Sequence, residues 1–552
     1  MRILICLVAV FLSNMVFAQN YYLQVHASEK SQQKTLDSLY RTSAFENPRA
    51  IVERVNQLSN QLSRLGYLQH QTLSNQKVND STFAYSFELG SQIKKVKLSL
   101  QKSPVTAEIS KIHSDSITMN FAELEGFMQS AIGRLEAKGY SMSKLFLDNF
   151  SYQKDELLAD LMENVSSKRQ LNDIVILGYD KFPDGFKRQL KRMYKNRTFN
   201  QETLKELYED VDKMVFVNQI KSPEVLFTSD STRVFLYLEK AKANSFDGYV
   251  GFASDENDEV VFTGYVDLVL NNALNSGEEM KLYWKNDGNK QQTFDVSAEV
   301  PYIFSSPLAI RGNLNIFKQD STFQTTKTNL DLGYYFRYNL RSYVGYYSVS
   351  SNDIQGVDSG VLTDYKSKFY TVSLEYFKRN REDFLFPEKQ RVLFKTGFGS
   401  RTTVEEKYNQ YFVQLQAKNN FYLNPKNIIH LKIDNYFLNS SQYVINELYR
   451  FGGINSIRGF NENSLQASFF SGIMSEYRYM VAPGLYVHSI TDYAYFQDKA
   501  TNINHRLLGV GFGFGLFTNN GLFNLVYANG RIDKQEIRMS NSIVHLSFKA
   551  NF

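Results

Sequence analysis

From about residue 246 onward, apolar and polar residues alternate with a period of two. Phe294, Val296, Ala298 and Val300 alternate with Asp295, Ser297 and Glu299. Leu308, Ile310, Leu314 and Ile316 alternate with Arg311, Asn313 and Asn315, and Ile429, Leu431 and Ile433 with His430, Lys432 and Asp434. The last segment places Val544, Leu546, Phe548, Ala550 and Phe552 on one face and His545, Ser547, Lys549 and Asn551 on the other. This is the pattern of strands with two different faces. Segments begin near 246, 258, 277, 290, 307, 321, 340, 367, 391, 407, 427, 467, 485, 505, 522 and 541, which predicts about sixteen strands. The charged second face excludes a sandwich with two dry faces. An even number of roughly ten-residue antiparallel strands predicts a membrane all-β barrel, a sheet that leaves no edge unpaired in lipid.

Residues 20 to about 241 follow a different pattern. Ile51, Val55, Leu58, Leu62 and Leu65 form one helical stripe stopped by Gly66 before Tyr67. Phe121, Leu124, Met128, Ile132 and Leu135 form another, stopped by Gly139 before Tyr140. Strand-like runs follow each stop, at Phe83 to Leu89 and at Lys144 to Phe150. A third unit opens with the strand Ile174 to Leu177, turns at Gly178 and Pro183, carries a helix with Leu204, Leu207 and Val211, and closes with Val234 to Leu238. A repeat of this size predicts an array of small α+β domains, at 19–91, 92–170 and 171–241, with the barrel at 242–552.

The first residues change the picture of where the chain resides. Met1-Arg2, the apolar run Ile3 to Phe11, and Val16-Phe17-Ala18 predict a secretory signal peptide over 1–18. The run is too short to cross a bilayer as a helix. Cys6, the single cysteine, lies inside it, so the mature chain is expected to lack thiol and disulfide chemistry. A mean hydropathy of −0.36 carries little weight for a barrel, whose lumen-facing positions dilute the signal. Tyr 36 and Phe 43 against Trp 1 suit aromatic girdles, and a formal charge of +5, small for this length, argues for neither a nucleic-acid partner nor a polybasic membrane patch, so no nucleic acid is expected. The seven histidines lack metal-ligand spacing, and no phosphate loop or nucleophile elbow is present. No catalytic residue, metal or cofactor is expected, and the protein is not expected to be an enzyme.

The eleventh and twelfth predicted strands are separated by a long interruption that contains Phe451-Gly452-Gly453-Ile454-Asn455-Ser456-Ile457-Arg458-Gly459-Phe460. Glycines here open backbone geometries closed to other residues. An arginine inside a lumen seeks a carboxylate, and its planar fork rewards a bidentate one. Glu476 and Arg478 share the lumen parity of the twelfth strand, and Asp492 that of the thirteenth. The segment resembles the Arg-Gly-Phe loop motif of the BamA/TamA family of outer-membrane assembly and translocation proteins. Ser475 to Tyr479 and Ser489 to Tyr493 resemble the family's two wall motifs, with Ile490 where the family often has Phe. Gly509 to Gly513 and Gly521 to Ala528 are similar to its penultimate strands. The order strand, two helices, strand, strand in the N-terminal units resembles POTRA domains.

The resemblance implies a loop folded back into the lumen, its tip formed by Gly452, Gly453, Ile457, Arg458, Gly459 and Phe460. Glu476, Arg478 and Asp492 are its expected wall partners, and the choice between Glu476 and Asp492 stays open. It also implies a lateral seam between the first strand, with Gly248, Tyr249 and Gly251, and the last, with Phe548 and the terminal Phe552. The implied function is assembly in the outer membrane of a Gram-negative bacterium, with the N-terminal domains in the periplasm. These domains would receive unfolded outer-membrane protein clients, and the seam would pass them into outer-membrane lipid. Accessory lipoproteins and an inner-membrane partner stay open. The alternative is a secretion channel that passes a soluble partner protein through the lumen.

Overall fold

The computed structural model describes residues 20–41, 43–100, 115–254, 260–286, 291–319, 322–354, 363–536 and 542–552. The expected signal peptide lies outside the described residues, as do the side chains of residues 249–254, 260–263 and 551. The chain forms two compact units: residues up to Gln170 with Thr198–Thr203, and Leu171–Arg197 with Leu204–Phe552.

The first unit contains two four-stranded sheets. In one, Tyr21–Ala27 runs parallel to Thr82–Glu88, flanked by Ala44–Phe45 and Gln71–Asn79. Its helix Pro48–Arg64 starts where the Asn47 side chain accepts the Ala50 N–H at 2.9 Å. Ile51, Val55, Leu58 and Leu62 are buried against the sheet, each contributing roughly 1.5–3 kcal/mol. Leu65 departs from the expected stripe and is 42% exposed, because the helix has already ended there. The stop itself is a glycine cap, with Gly66 N–H donating to Ser63 at 3.1 Å and Tyr67 N–H to Leu62 at 3.0 Å. The second sheet repeats the plan: Lys95–Leu100 runs parallel to Glu156–Asn164, flanked by Ser116–Asn120 and Lys144–Gln153. Its helix Leu124–Ala137 ends in the same cap, with Tyr140 N–H donating to Leu135 at 3.0 Å.

The second unit begins with a third small sheet, in which Asp173–Leu177 runs parallel to Thr232–Lys240 and Glu224–Phe227 is antiparallel to it. Besides Gln201–Asp212 it carries a helix, Asp184–Tyr194, that starts directly after Pro183. The residue pattern of this unit places only a turn before the Leu204 helix, although the two-helix order of the POTRA resemblance implies a second helix. Phe186, Leu190 and Tyr194 are buried at four-residue spacing along the additional helix. Phe186 stacks edge-on against Tyr302 of the barrel rim, with ring centroids 4.6 Å apart. The rim also reaches this sheet through Arg381, which donates to the carbonyls of Asp212 at 2.8 Å, Met214 at 2.9 Å and Val217 at 2.5 Å.

The barrel is closed and antiparallel, with sixteen strands running from Ser245–Ser254 to Ile543–Asn551. Their first residues fall within three positions of where alternation placed them. In the sixth strand, Phe323–Arg337, Leu330, Leu332, Tyr334 and Phe336 are exposed on the outer face, while Asn329, Asp331 and Tyr335 are buried on the lumen side. Apolar residues outside and polar residues inside make this a membrane-spanning barrel. No helix among the described residues is long and apolar enough to cross a membrane.

Candidate functional site: a loop anchored inside the barrel

The eleventh strand ends at Asn439 and the twelfth, Phe469–Ala482, begins thirty residues later. Within this loop Tyr449–Phe451 pairs with Leu465–Ala467, a two-stranded stalk that carries the segment 452–464 at its end. The stalk is apolar: Phe451 packs on Phe470 and Phe496 of the wall at centroid distances of 4.3 and 5.2 Å. Ile457 is fully buried in the same cluster, and Phe460 packs at its margin. The first limb of the loop is pinned as well, by an ion pair of Glu447 with the buried Arg401 and a bond from Gln410 at 2.8 Å.

Arg458 stands at the centre and is 5% exposed. Its Nε and Nη2 donate to the two oxygens of Asp492 at 2.8 and 2.5 Å. Its own backbone N–H donates to Asp492 Oδ2 at 2.9 Å. Nη1 pairs with Glu476 Oε1, so one arginine engages both carboxylates and the alternative left open by the sequence does not arise. Asp492, on the thirteenth strand Leu485–Asp498, is 0% exposed, and burying such a carboxylate is costly unless it is paired and hydrogen-bonded as it is here. The other oxygen of Glu476 accepts from Arg478 Nε at 2.7 Å, and Arg478 also donates to Asn420 at 3.2 Å. Asn420 in turn bonds the His430 ring at 2.7 Å. The wall is therefore linked from the tenth strand to the thirteenth.

Backbone geometry fixes the tip no less than charge. Gly459 has φ +87°, and a Cβ there would lie 2.4 Å from the Asn529 carbonyl carbon and the Gly530 nitrogen of the fifteenth strand, Gly521–Ile532. A Cβ on Gly509 of the fourteenth strand, Ile503–Thr518, would lie 2.3 Å from the Arg458 carbonyl oxygen. The tip thus sits in a slot floored by two wall glycines. Gly452 and Gly453 also have positive φ and shape the turn into the tip. Contacts with strands twelve to fifteen and, through Glu462, with the third strand place this tip in the lumen.

The seam residues lie apart from this cluster. The first and last strands share three register pairs among the described residues, Ser245 with Asn551, Phe246 with Ala550 and Asp247 with Lys549. By contrast the first strand shares ten with the second, and the last shares seven with the fifteenth. Phe552 adds reciprocal bonds to Asn244 at 3.0 and 3.2 Å. Pairing stops at Gly248, which has a φ of +155° and where a Cβ would lie 2.3 Å from the Tyr265 carbonyl oxygen, so no side chain fits. Tyr249 and Gly251 lie beyond the stop, where among the described residues they pair with Tyr265 and Thr263 of the second strand and not with the last strand. Phe548 and the terminal Phe552 are exposed on the outer face.

Glu462, Lys285, Glu447, Arg401 and the floor glycine Gly530 were not legible as site residues. A lone glutamate in a loop carries no pattern, and its partners lie far away in sequence. A lumen-parity glycine in a strand, as at Gly509 and Gly530, is the one signal that would have pointed to close backbone approach.

These features define a class: a polar-lumen, sixteen-stranded membrane barrel with an arginine-anchored internal loop, preceded by small α+β sheets. Solved structures with this fold include CdiB from Acinetobacter baumannii, 14% identical over 95% of this chain and 99% of that one, with a TM-score of 0.53. CdiB from Escherichia coli is 12% identical over 91% and 98%, also with a TM-score of 0.53. BamA from Haemophilus ducreyi lacking POTRA domains 1–3 aligns at 14% identity over 83% of this chain and 100% of that one, with a TM-score of 0.48. The likeness to the two CdiB structures is one of fold. No family model and no curated protein sequence matches the chain.

Proposed function

We propose that this protein is an outer-membrane assembly factor of the BamA/TamA type, which takes unfolded outer-membrane protein clients and releases them into lipid through the seam. The observation that carries this reading is the three-pair junction between the first and last strands, far shorter than its neighbours. A barrel opens where its ladder is weakest, and an exposed strand edge is a template for another strand. The N-terminal sheets, placed in the periplasm, offer further edges. Gln71–Asn79 and Lys144–Gln153 each form an outer strand, and Phe146 and Phe150 of the latter are exposed. Main-chain pairing at such edges tolerates many client sequences. In this reading Arg458, Gly459 and their wall partners hold the loop as a fixed internal strut while the seam works, and the protein performs no bond chemistry.

The experiment is reconstitution in lipid vesicles with an unfolded outer-membrane barrel as client. The assembly reading expects faster appearance of folded, protease-resistant client than in empty vesicles. Export of a soluble protein through the lumen, which would require the loop to leave its slot, is the alternative. It is supported if client folding is not accelerated and a soluble partner crosses the membrane.

A further inference from the structure

The loop tip does not touch one side of the barrel alone. Beyond Arg458 and Gly459 the chain turns so that Glu462 meets the third strand, Glu279–Asn286. Tyr283 Oη donates to Glu462 Oε1 at 3.1 Å, and Lys285 Nζ forms an ion pair with Oε2. The side chains of Lys285 and Glu462 retain 30% and 28% of their exposure, so the pair is partly shielded by the barrel interior. The turn that presents Glu462 is tightly built: a Cβ on Gly453 would lie 3.0 Å from the Glu462 Cα.

The two anchorages lie on opposite sides of the seam. Arg458 and Gly459 hold the twelfth, thirteenth and fifteenth strands. Glu462 holds the third. Between the fifteenth strand and the third lie only the sixteenth, first and second, and the three-pair junction is among them. His545 of the last strand lies in the electrostatic field of Lys285 and Glu462, and its Nε2 is buried with no hydrogen-bond partner among the described residues.

We propose that Glu462 is a latch: its contacts with Lys285 and Tyr283 tie a loop already fixed on the C-terminal wall to the N-terminal wall, bracing the seam from inside the lumen. Release of this one contact frees the third strand, and with it the first and second, while the Arg458 anchorage stays closed. Glu462 is a positioning residue, since it acts through the wall strands. The inference rests on the seam being the opening that the proposed function uses.

The test is amide hydrogen exchange over residues 245–254 and 543–551 in the purified full chain in lipid nanodiscs. The variants are Glu462→Ala and the reversed pair Glu462→Lys with Lys285→Glu. The latch predicts exchange at these segments faster by on the order of tenfold in Glu462→Ala, with unchanged exchange over the Arg458 wall strands, and recovery toward wild type in the reversed pair. Unchanged seam exchange in Glu462→Ala overturns it. So does equal acceleration in the reversed pair, which restores the attraction. The readout needs no client, so its failure leaves the assembly reading standing, and a failed client-folding assay leaves this result interpretable.

Discussion

Removing the Arg458 side chain is the perturbation whose consequence the structure fixes most tightly. Arg458→Ala deletes the bidentate contact with Asp492 at 2.8 and 2.5 Å and the ion pair with Glu476. Glu476 keeps Arg478 at 2.7 Å, but Asp492, with no exposure, keeps among the described residues only the loop's own N–H at 2.9 Å. Breaking one side of a buried, hydrogen-bonded pair costs about 3–5 kcal/mol. The compensated Glu476 argues for the lower end, about 3 kcal/mol or roughly a hundredfold in the detached-loop population. The barrel ladder is untouched, so the variant folds and the cost falls on the loop. Amide exchange over residues 452–464, read beside heat-modifiable gel migration as a check of barrel folding, measures this directly. Asp492→Asn should loosen the loop less than Arg458→Ala, and Glu476→Gln less again, because Asp492 accepts three bonds from Arg458. Arg458→Lys should fall between, keeping charge without the fork. Wild-type loop protection in a folded Arg458→Ala variant would refute the reasoning, as would wild-type activity in that variant.

Other perturbations address the rest of the account. Gly459→Ala combines a positive φ with a Cβ 2.4 Å from the fifteenth strand, so it should lift the tip from its slot and accelerate loop exchange even with Arg458 intact; no change in exchange would show that the slot yields freely. Arg381→Ala removes three bonds to carbonyls of the segment 212–217 and should make that segment open to limited proteolysis at least about fivefold faster, corresponding to roughly 1 kcal/mol; unchanged cleavage would show that the segment is held by its other contacts, such as those of Phe186 and Arg337. Burial disfavours the charged Glu278, but bonds from the Leu274 and Ser276 amides and the Ser276 hydroxyl outweigh it, and its pKa is lowered. Its contribution to stability is therefore full above an unfolded value of about 4.3 and lost as pH falls through the lower folded value. The turn 272–278 should loosen in acid, seen as exchange corrected for its intrinsic pH dependence, and Glu278→Gln should abolish the response; an identical acid response in that variant would refute the assignment.

The barrel was legible because a period of two is a strong local signal and each strand reports it independently, as Leu330 to Phe336 do with exposed and buried residues in turn. Helix stops were legible for the same local reason: Gly66-Tyr67 and Gly139-Tyr140 close their caps with backbone bonds to residues three to five positions back. The helix Asp184–Tyr194, implied by the two-helix order of the units, could not be placed from its own residues because its short stripe follows Pro183 and is dense in lysine and arginine. Arg458 could be singled out only through its glycine setting and the resemblance that setting carries. Its partners could be proposed from strand parity, which is again local. What parity cannot supply is depth along the barrel and contact across it. Hence Arg458 engages two carboxylates where one was expected, and Glu462 reaches Lys285 over a separation of 177 residues with no sequence cue at either end. The weak point of the seam was flagged by Gly248, but the number of pairs that remain was not, since it depends on register between strands at opposite ends of the barrel sequence.

The central claim, that the seam between first and last strands receives clients, is tested most directly by photo-crosslinking in living cells from a probe placed at position 249, one residue beyond the stop in pairing. The account predicts capture of the C-terminal strands of other outer-membrane barrels, identified by mass spectrometry. Capture of one soluble exported protein, or capture only from probes on the lumen wall, would contradict it.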